Sequence, residues 1–202
     1  MTNVLPFPRD GAAAADLSLM RRVAAADRHA QRVLAHRLAT RVRRISQRLL
    51  SNRADADDAS QLALIEILRC APTYRDISTI ERWADRITVR TVLRHAREQR
   101  KRLWQLSTLI DIDSIGASNE RPSPAQATPR SVEEYLSELP AARREVLVMK
   151  HSLGYTTEEI ADLTDNPVGT IKDRLVAARK QLRKLIVRDL RLWSRPQEGF
   201  EP

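Results

Sequence analysis

The sequence predicts an all-α protein made of two small helical domains, and three observations lead to that fold class. Apolar residues recur at intervals of three and four along most of the chain, which is the period of an amphipathic helix. Only 5 glycines occur among 202 residues, which argues against an architecture of strands and tight turns. The helical period is lost after residue 102, where prolines and small polar residues indicate a flexible connection.

The first domain is expected to be a bundle of helices separated by breaks in this period near Asp27 and Ser51. A third helix is predicted from about Asp55 to Pro72, because proline lacks the amide hydrogen that a helix interior needs. A fourth begins at about Thr79, with apolar residues on one side and arginines on the other. The predicted order is a flexible N-terminal tail over residues 1–15, the bundle over 16–102, a linker over 103–130, a second helical domain over 131–190 and a C-terminal tail over 191–202.

The segment Gly154–Leu175 has the pattern of a helix-turn-helix. Thr156 can cap its first helix, and Glu159 three residues later completes a capping box in which each side chain binds the other residue's amide. The same pattern occurs at Ser131–Glu134. Pro167 suits the start of the second helix, where its missing amide hydrogen costs nothing. The C-terminal domain is therefore predicted to bind DNA.

The second helix of this motif has one apolar stripe, formed by Ile171, Leu175, Ala178, Leu182 and Leu185. At about 100° per residue the opposite face projects away from the core, as a helix that enters a major groove requires. The residues expected on that outward face are Gly169, Lys172, Asp173, Val176, Ala177, Lys180 and Arg183.

Three of these outward side chains could read bases. Lys172 can donate to guanine or to a phosphate, Asp173 can accept from the amino group of cytosine, and Val176 can pack on a thymine methyl group. Arg174 and Arg179 lie nearer the flanks of the buried stripe and are expected to reach phosphates.

The chain is strongly basic, with a formal net charge of +9 and a pI of about 10.5. The charge is concentrated in residues 83–102 and 168–191, which carry local net charges of +5 and +6. Either run alone could be a solvated arginine-rich helix face. Two such runs beside a helix-turn-helix indicate a nucleic-acid partner.

The sequence lacks the residue patterns that several classes of function require. Cys70 is the single cysteine, so no internal disulfide can form, and a reducing cytoplasmic setting is expected. The histidines are scattered without the spacing of a zinc site, and no phosphate-binding loop or nucleophile motif occurs. We therefore expect no catalytic residues, metal or cofactor. The first fifteen residues are too weakly apolar for a signal sequence, and no membrane insertion is expected.

An arginine-rich bundle, a proline-containing linker and a C-terminal helix-turn-helix, in this order, resemble the small two-domain bacterial sigma factors of the extracytoplasmic-function type in the sigma-70 family. The stretch Arg53–Gln61 is similar to region 2.2 of that family. Leu139-Pro140, Glu158–Ala161 and the run Pro167–Leu175, with Val-Gly-Thr-Ile-Lys at its centre, are similar to region 4.

The resemblance implies a non-enzymatic initiation factor whose partners are core RNA polymerase and promoter DNA, with an anti-sigma factor as a further partner that it allows. It assigns Asp57, Asp58 and Gln61 to polymerase binding. It places Tyr74, Arg86, Arg90, Arg94 and Arg97 near the −10 element and its separated strand. It places Thr170, Lys172, Asp173, Arg174, Val176, Ala177, Arg179 and Lys180 at the −35 element.

The chain departs from the family pattern at several positions, among them Leu64 and Leu68, where the family usually has an aromatic residue. Leu62 stands where an acidic residue usually follows the glutamine of region 2.2. Arg90 and Arg94 align with positions that usually hold asparagine and aspartate. Arg90 and Arg94 add positive charge to the helix expected to face DNA.

Two other classes of protein share some of these features. A free-standing helix-turn-helix regulator, with the N-terminal bundle as a dimerisation or sensor module, would bind symmetric half-sites without polymerase. An enzyme acting on nucleic acid would need metal-ligand or nucleophile constellations that the sequence does not contain.

Overall fold

The computed structural model describes residues 10–109 and 130–193, and every regular element in these ranges is helical, as the sequence predicts. The chain divides into two units, residues 1–95 and residues 96–202. Most of the predicted linker, residues 110–129, lies outside the described residues. So do residues 1–9 of the predicted N-terminal tail and residues 194–202 of the predicted C-terminal tail.

The first unit is a helical bundle closed around one apolar core. Its core includes Leu34, Leu38, Ile67 and Ile80, all almost fully buried. Its elements are α1 (Asp10–Ala24), α2 (Arg28–Leu49), α3 (Arg53–Cys70), a short 3-10 turn (Ala71–Thr73) and α4 (Ile80–Leu109), which continues into the second unit.

Side chains fix where α2 and α3 begin. The Asp27 carboxylate accepts hydrogen bonds from the amides of His29 and Ala30 at 2.8 and 3.1 Å. The Asn52 side chain does the same for the first amides of α3. Both are N-caps, which satisfy amide hydrogens that have no partner inside the helix. The breaks predicted near Asp27 and Ser51 therefore coincide with capped helix starts.

Two helices are longer than the sequence led us to expect. α1 begins at Asp10, within the segment predicted as a flexible tail. The alanine run from Ala12 accounts for this, since alanine has the highest helix propensity. α4 ends at Leu109 instead of residue 102, because residues 103–109 contain no glycine or proline that would stop a helix. At the start of α1 and at the end of α4 the apolar period is weak, and this weakness was wrongly interpreted as the absence of a helix.

An ion pair between a buried carboxylate of α4 and a half-exposed arginine of α2 supports the rotation of α4 about its own axis. Asp85 is only 2% exposed, and Arg41 of α2 donates to its two carboxylate oxygens, each at 2.7 Å. One turn earlier, Glu81 pairs with Arg37, which also binds Asp16 of α1. A buried carboxylate is costly unless it is paired, so α4 is held with Asp85 turned inward.

The second unit contains the end of α4 followed by the predicted helix-turn-helix. α5 (Val132–Ser137) and α6 (Ala141–Leu147) lead into a π-helical turn (Val148–Ser152), and α7 (Thr157–Thr164) and α8 (Val168–Trp193) form the motif. Both predicted capping boxes are present, at Ser131 with Glu134 and at Thr156 with Glu159.

The turn between α7 and α8 is tight. Asp165 has φ +56°, a left-handed conformation that ends α7, and Pro167 directly precedes α8. The predicted apolar stripe of α8 lies inward, with Ile171, Leu175 and Ala178 buried together with Ile160 of α7. The opposite side of α8 is therefore turned outward.

Arg130, just before the Ser131 cap, ties the start of α5 to the far end of α8. Its guanidinium pairs with Glu138 and lies 3.0 Å from Asp189, and it stacks over the Tyr135 ring at 4.9 Å. These bonds from Arg130, together with one from Arg188, lower the pKa of Asp189 against the opposing effect of its partial burial. α5 is thereby fixed against α8 by charge as well as by packing.

Within the described ranges, no helix is both long and apolar enough to cross a membrane.

Candidate functional site

An exposed row of arginines follows the outward face of α4 in the first unit. Arg86, Arg90 and Arg94 are spaced by four residues and are all exposed, while Ala84, Val89 and Val92 on the other side are buried. Residues at this spacing lie above one another on a helix. The structure thus brings together three of the four arginines that we assigned to the −10 element.

Arg97, the fourth, has a different environment. It belongs to the second unit, where it donates a hydrogen bond of 2.7 Å to the main-chain carbonyl of Thr164, the last residue of α7. The Asn166 side chain donates to the same carbonyl. Arginine is well suited to this place, because the carbonyl groups at a helix C-terminus lack partners within the helix. In this structure Arg97 stabilises the helix-turn-helix and does not extend the arginine row.

Arg100 lies near a second acceptor of the same unit. Its guanidinium is 3.9 Å from the Glu145 carboxylate in α6, whose side chain is largely buried. Burial raises the pKa of Glu145, and the positive charges of Arg100, Arg144 and Arg97 oppose that change. The end of α4 is therefore held on the helix-turn-helix by two arginines.

Tyr74 is not available as a stacking surface for a base, contrary to what the resemblance led us to expect. Its side chain is only 8% exposed and packs edge-on against Trp83, with ring centroids 5.6 Å apart. Its hydroxyl donates to the carbonyl of Ser78 or the carboxylate of Asp76. Burial and the bond to Asp76 raise the pKa of Tyr74 to about 12. The ring therefore belongs to the core of the first unit.

The residues assigned to polymerase binding lie at the start of α3, and they do not have equal environments. The Asp57 carboxylate accepts from Arg43 of α2 at 3.0 and 3.2 Å. The side chains of Asp58 and Gln61 are exposed and make no hydrogen bond or ion pair with any other described residue. Asp58 and Gln61 are thus free to bind a partner, whereas Asp57 is partly neutralised.

Two apolar side chains continue this α3 face. Leu62 and Ile65 are 45% and 61% exposed, and helical spacing places them in line with Asp58. Such residues at the centre of an exposed face are typical of a protein-binding surface. The sequence showed Leu62 as a departure from the family pattern, but Ile65 was missed because the helical period by itself does not give exposure.

The outward face of α8 carries the residues predicted for DNA readout. Lys172, Asp173, Arg179 and Lys180 are exposed, and Val176 is 64% exposed. Thr170, Arg174 and Ala177 are half-buried at the edges of this face. The arrangement supplies donors, one acceptor and one apolar contact on a single helix face, which is what direct readout in a major groove needs.

Sequence reasoning missed Asp85 and Arg41 as the pair that orients the arginine row. One signal was present in the sequence. Asp85 interrupts the apolar side of the fourth helix between Ala84 and Thr88, where a carboxylate needs a buried partner. The partner itself lies 44 residues away and no local pattern identifies it.

Each of the two units contains a segment that matches a known protein family. Residues 34–102 match the model of Sigma-70 region 2, and residues 130–182 match that of Sigma-70, region 4. The ECF RNA polymerase sigma factor EcfG of Rhodopseudomonas palustris is 31% identical over 144 residues, which cover 69% of this chain and 76% of EcfG. The ECF RNA polymerase sigma factor SigE of Mycolicibacterium smegmatis is 29% identical over 158 residues, and the match spans 77% of this chain but only 61% of SigE.

A solved structure shares the fold. The sigma factor RpoE from Bartonella quintana, crystallised with the anti-sigma factor NepR, superposes with a TM-score of 0.55 at 24% identity, covering 77% of this chain and 95% of RpoE.

A helical bundle with an exposed arginine row, joined to a helix-turn-helix with an outward polar face, defines a DNA-binding protein of two domains. The chain belongs to the extracytoplasmic-function type of the sigma-70 family of RNA polymerase sigma factors. Members of this family are transcription initiation factors that bind core RNA polymerase and promoter DNA, and they are not enzymes. A free-standing regulator is correspondingly disfavoured.

Substitution of the arginine row tests whether these residues help to separate the DNA strands. Strand capture by the arginine row should be steeply salt-sensitive, so we expect Arg90→Ala/Arg94→Ala to reduce initiation on duplex promoters most strongly at low salt, because charged contacts with phosphates are lost. A template with a mismatch bubble across the −10 element should restore part of the activity, since the cost of melting is then removed.

The matched control for this test is Arg90→Lys/Arg94→Lys, which keeps the charge and should keep most of the activity on duplex DNA. Single-round transcription on both templates measures the effect. Equal losses on duplex and bubble templates would show that these arginines act at another step.

Proposed function

We propose that this chain directs core RNA polymerase to promoters by reading a −35 element with α8 and by holding the −10 element on the arginine row of α4. The observation that supports this most is the joint presence, in one chain, of region 2 with an outward row of arginines and region 4 with an outward readout face. The first unit then captures DNA while the second unit selects the site.

The −10 step in this proposal relies on charge more than on aromatic stacking. Tyr74 is buried and Trp83 packs against it, so neither ring is offered to an unstacked base. Arg86, Arg90 and Arg94 can hold the separated strand through phosphates and through the planes of their guanidinium groups. Because Arg97 is bonded to Thr164, the row proposed for DNA consists of the first three arginines.

The −35 step follows from the chemistry on α8. Lys172 can donate to the O6 and N7 atoms of guanine, Asp173 can accept from the N4 amino group of cytosine, and Val176 can contact a thymine methyl group. Each such base contact contributes roughly 1–3 kcal/mol of discrimination. The residues proposed to fix the helix on the backbone or to line the edges of the face are Thr170, Arg174, Ala177, Arg179 and Lys180.

The polymerase contact is proposed on the exposed face of α3. Asp58 supplies a carboxylate and Gln61 an amide, and neither is used inside the described parts of the chain. Leu62 and Ile65 add an apolar centre, so the partner surface should combine basic and apolar side chains. Asp57 contributes less, because Arg43 already neutralises its charge.

Regulation and location are proposed from the relatives. RpoE of Bartonella quintana was solved in complex with an anti-sigma factor, and an inhibitory protein of this kind is proposed for the present chain. We also propose that the present chain acts in the cytoplasm, where RNA polymerase works. The single cysteine, Cys70, is consistent with a reducing compartment.

Reconstituted transcription tests the proposed function directly. Purified core polymerase is combined with the chain on a library of randomised promoters, and the transcripts are sequenced. We expect transcription only when both are present, with a sequence preference in two blocks, one at −10 and one at −35. Sequence-specific DNA binding by the chain alone, with no transcripts from the mixture, would contradict a sigma factor and favour a free-standing regulator.

The unequal environments of Asp57 and Asp58 give a graded prediction. Asp58→Ala should weaken core polymerase binding clearly, because an unpaired exposed carboxylate is removed. Asp57→Ala should weaken it less, because Arg43 already neutralises that carboxylate in the free protein.

Titration of core polymerase with labelled variants measures both affinities, and thermal unfolding checks that each variant is folded. The same affinity for Asp58→Ala as for the parent would remove Asp58 from the polymerase interface.

A further inference from the structure

The last part of α4, residues 96–109, is held on the helix-turn-helix by polar contacts that none of the proposed functions uses. Arg97 donates a hydrogen bond of 2.7 Å to the carbonyl of Thr164, and the guanidinium of Arg100 lies 3.9 Å from the carboxylate of Glu145. Both contacts lie within the second unit. We call residues 96–109 the α4 tail, and these two interactions the tail contact.

The tail contact has the properties of a reversible attachment. The large apolar side chains of the tail are not buried against the unit, since Leu103 and Trp104 are 66% and 69% exposed. Arg97 is exposed as well, and the side chain of Arg100 is 54% exposed. Ion pairs of exposed side chains contribute little to stability, because water competes for both groups. The tail can therefore separate from the helix-turn-helix without loss of a buried core.

The helix-turn-helix also has its own partner for the carbonyl that Arg97 binds. Asn166 donates a hydrogen bond of 2.7 Å to the same carbonyl of Thr164. A carbonyl at a helix end is costly only when it is left without any donor. Release of Arg97 therefore leaves the end of α7 satisfied, and the motif is expected to stay folded when the tail contact is broken.

The tail contact joins two parts of the chain that the proposed function places at different promoter elements. Arg97 follows Arg94, the last residue of the arginine row, by about 4.5 Å of helix. Thr164 ends α7, the helix that directly precedes α8. The −10 and −35 elements are about 25 base pairs apart, which is about 85 Å of duplex. One arginine side chain cannot span that distance, so the tail contact must break when both elements are bound.

We propose that the tail contact is autoinhibitory. In the free chain, Arg97 and Arg100 hold the helix-turn-helix on the end of α4, and the chain cannot reach both promoter elements. Core RNA polymerase breaks the contact when it binds the two units at separate positions. Binding of polymerase thereby becomes a condition for binding a whole promoter. This inference rests on the proposed function, because it requires one chain to bind both elements.

A distance measurement between the tail and α7 shows whether the contact is closed. Spin labels are attached at two exposed positions, with Gln105→Cys and Asp162→Cys in a Cys70→Ser background. Pulsed electron paramagnetic resonance then gives the distribution of distances. We expect one short distance in the free parent chain and longer distances after core polymerase is added. Arg97→Ala/Arg100→Ala should show the longer distances without polymerase.

The matched control is Lys101→Ala/Arg102→Ala. It removes the same charge from two neighbouring exposed residues of the tail that take no part in the tail contact. It should therefore keep the short distance of the parent. Thermal unfolding of both double variants checks that each is folded.

Affinity for core polymerase is a second readout, which a merely structural role of the two arginines would not raise. A chain that is mostly closed uses part of its binding free energy to open, so its apparent affinity is reduced. Arg97→Ala/Arg100→Ala should bind core polymerase about tenfold more tightly than the parent, which is the factor that one hydrogen bond from a charged group contributes. The control should bind as the parent does.

Three outcomes would overturn the inference. A short distance in the free Arg97→Ala/Arg100→Ala chain would show that these contacts do not hold the tail. A distance that stays short when the parent binds core polymerase would make the contact a permanent part of the fold. Parental or weaker affinity of the variant would exclude autoinhibition. A parent that does not bind core polymerase at all would instead contradict the proposed function, and the distances in the free chains are measured independently of it.

Discussion

The buried carboxylate of Asp85 is the constraint on which the arrangement of the first unit depends. The apolar side of α4 is buried, with Ile80, Val89 and Val92 fully enclosed, and Asp85 lies on this same side. A carboxylate that is 2% exposed can be tolerated only against a partner, and Arg41 provides one with two bonds of 2.7 Å. With Asp85 turned inward, helical geometry turns Arg86, Arg90 and Arg94 outward. The ion pair inside the first unit thus adds to the apolar packing that turns the candidate DNA surface outward.

The second unit obtains its geometry by other means. Capping boxes at Ser131 and Thr156 fix where α5 and α7 begin, and the left-handed Asp165 sets the turn before α8. Arg97 then satisfies the carbonyl of Thr164 at the end of α7. These bonds act on helix ends, so the outward face of α8 is presented on a rigid frame. Rigid placement of readout side chains is what specific recognition of bases requires.

Local features of the molecule could be predicted from sequence, and long-range pairings could not. The helix-turn-helix, both capping boxes and the exposed row on α4 follow from spacings of three and four residues, which the sequence displays directly. Tyr74 was misplaced because an aromatic residue in a loop has the same local pattern whether its ring is buried or exposed. The pairing of Asp57 with Arg43, and of Arg97 with Thr164, depends on how helices pack. Such contacts join residues 14 and 67 positions apart and leave no periodic signal.

The central claim, that the Arg41–Asp85 pair holds α4 in the first unit, is tested most directly by a double-mutant cycle. Arg41→Ala, Asp85→Ala and the double variant are unfolded with urea in a background where Trp104 and Trp193 are phenylalanine, so that Trp83 reports on the first unit. We predict a coupling free energy of at least about 1.5 kcal/mol, as charged hydrogen bonds to a buried group give. Free energies of unfolding that add to within about 0.5 kcal/mol would contradict the claim, since additivity is the behaviour of independent residues.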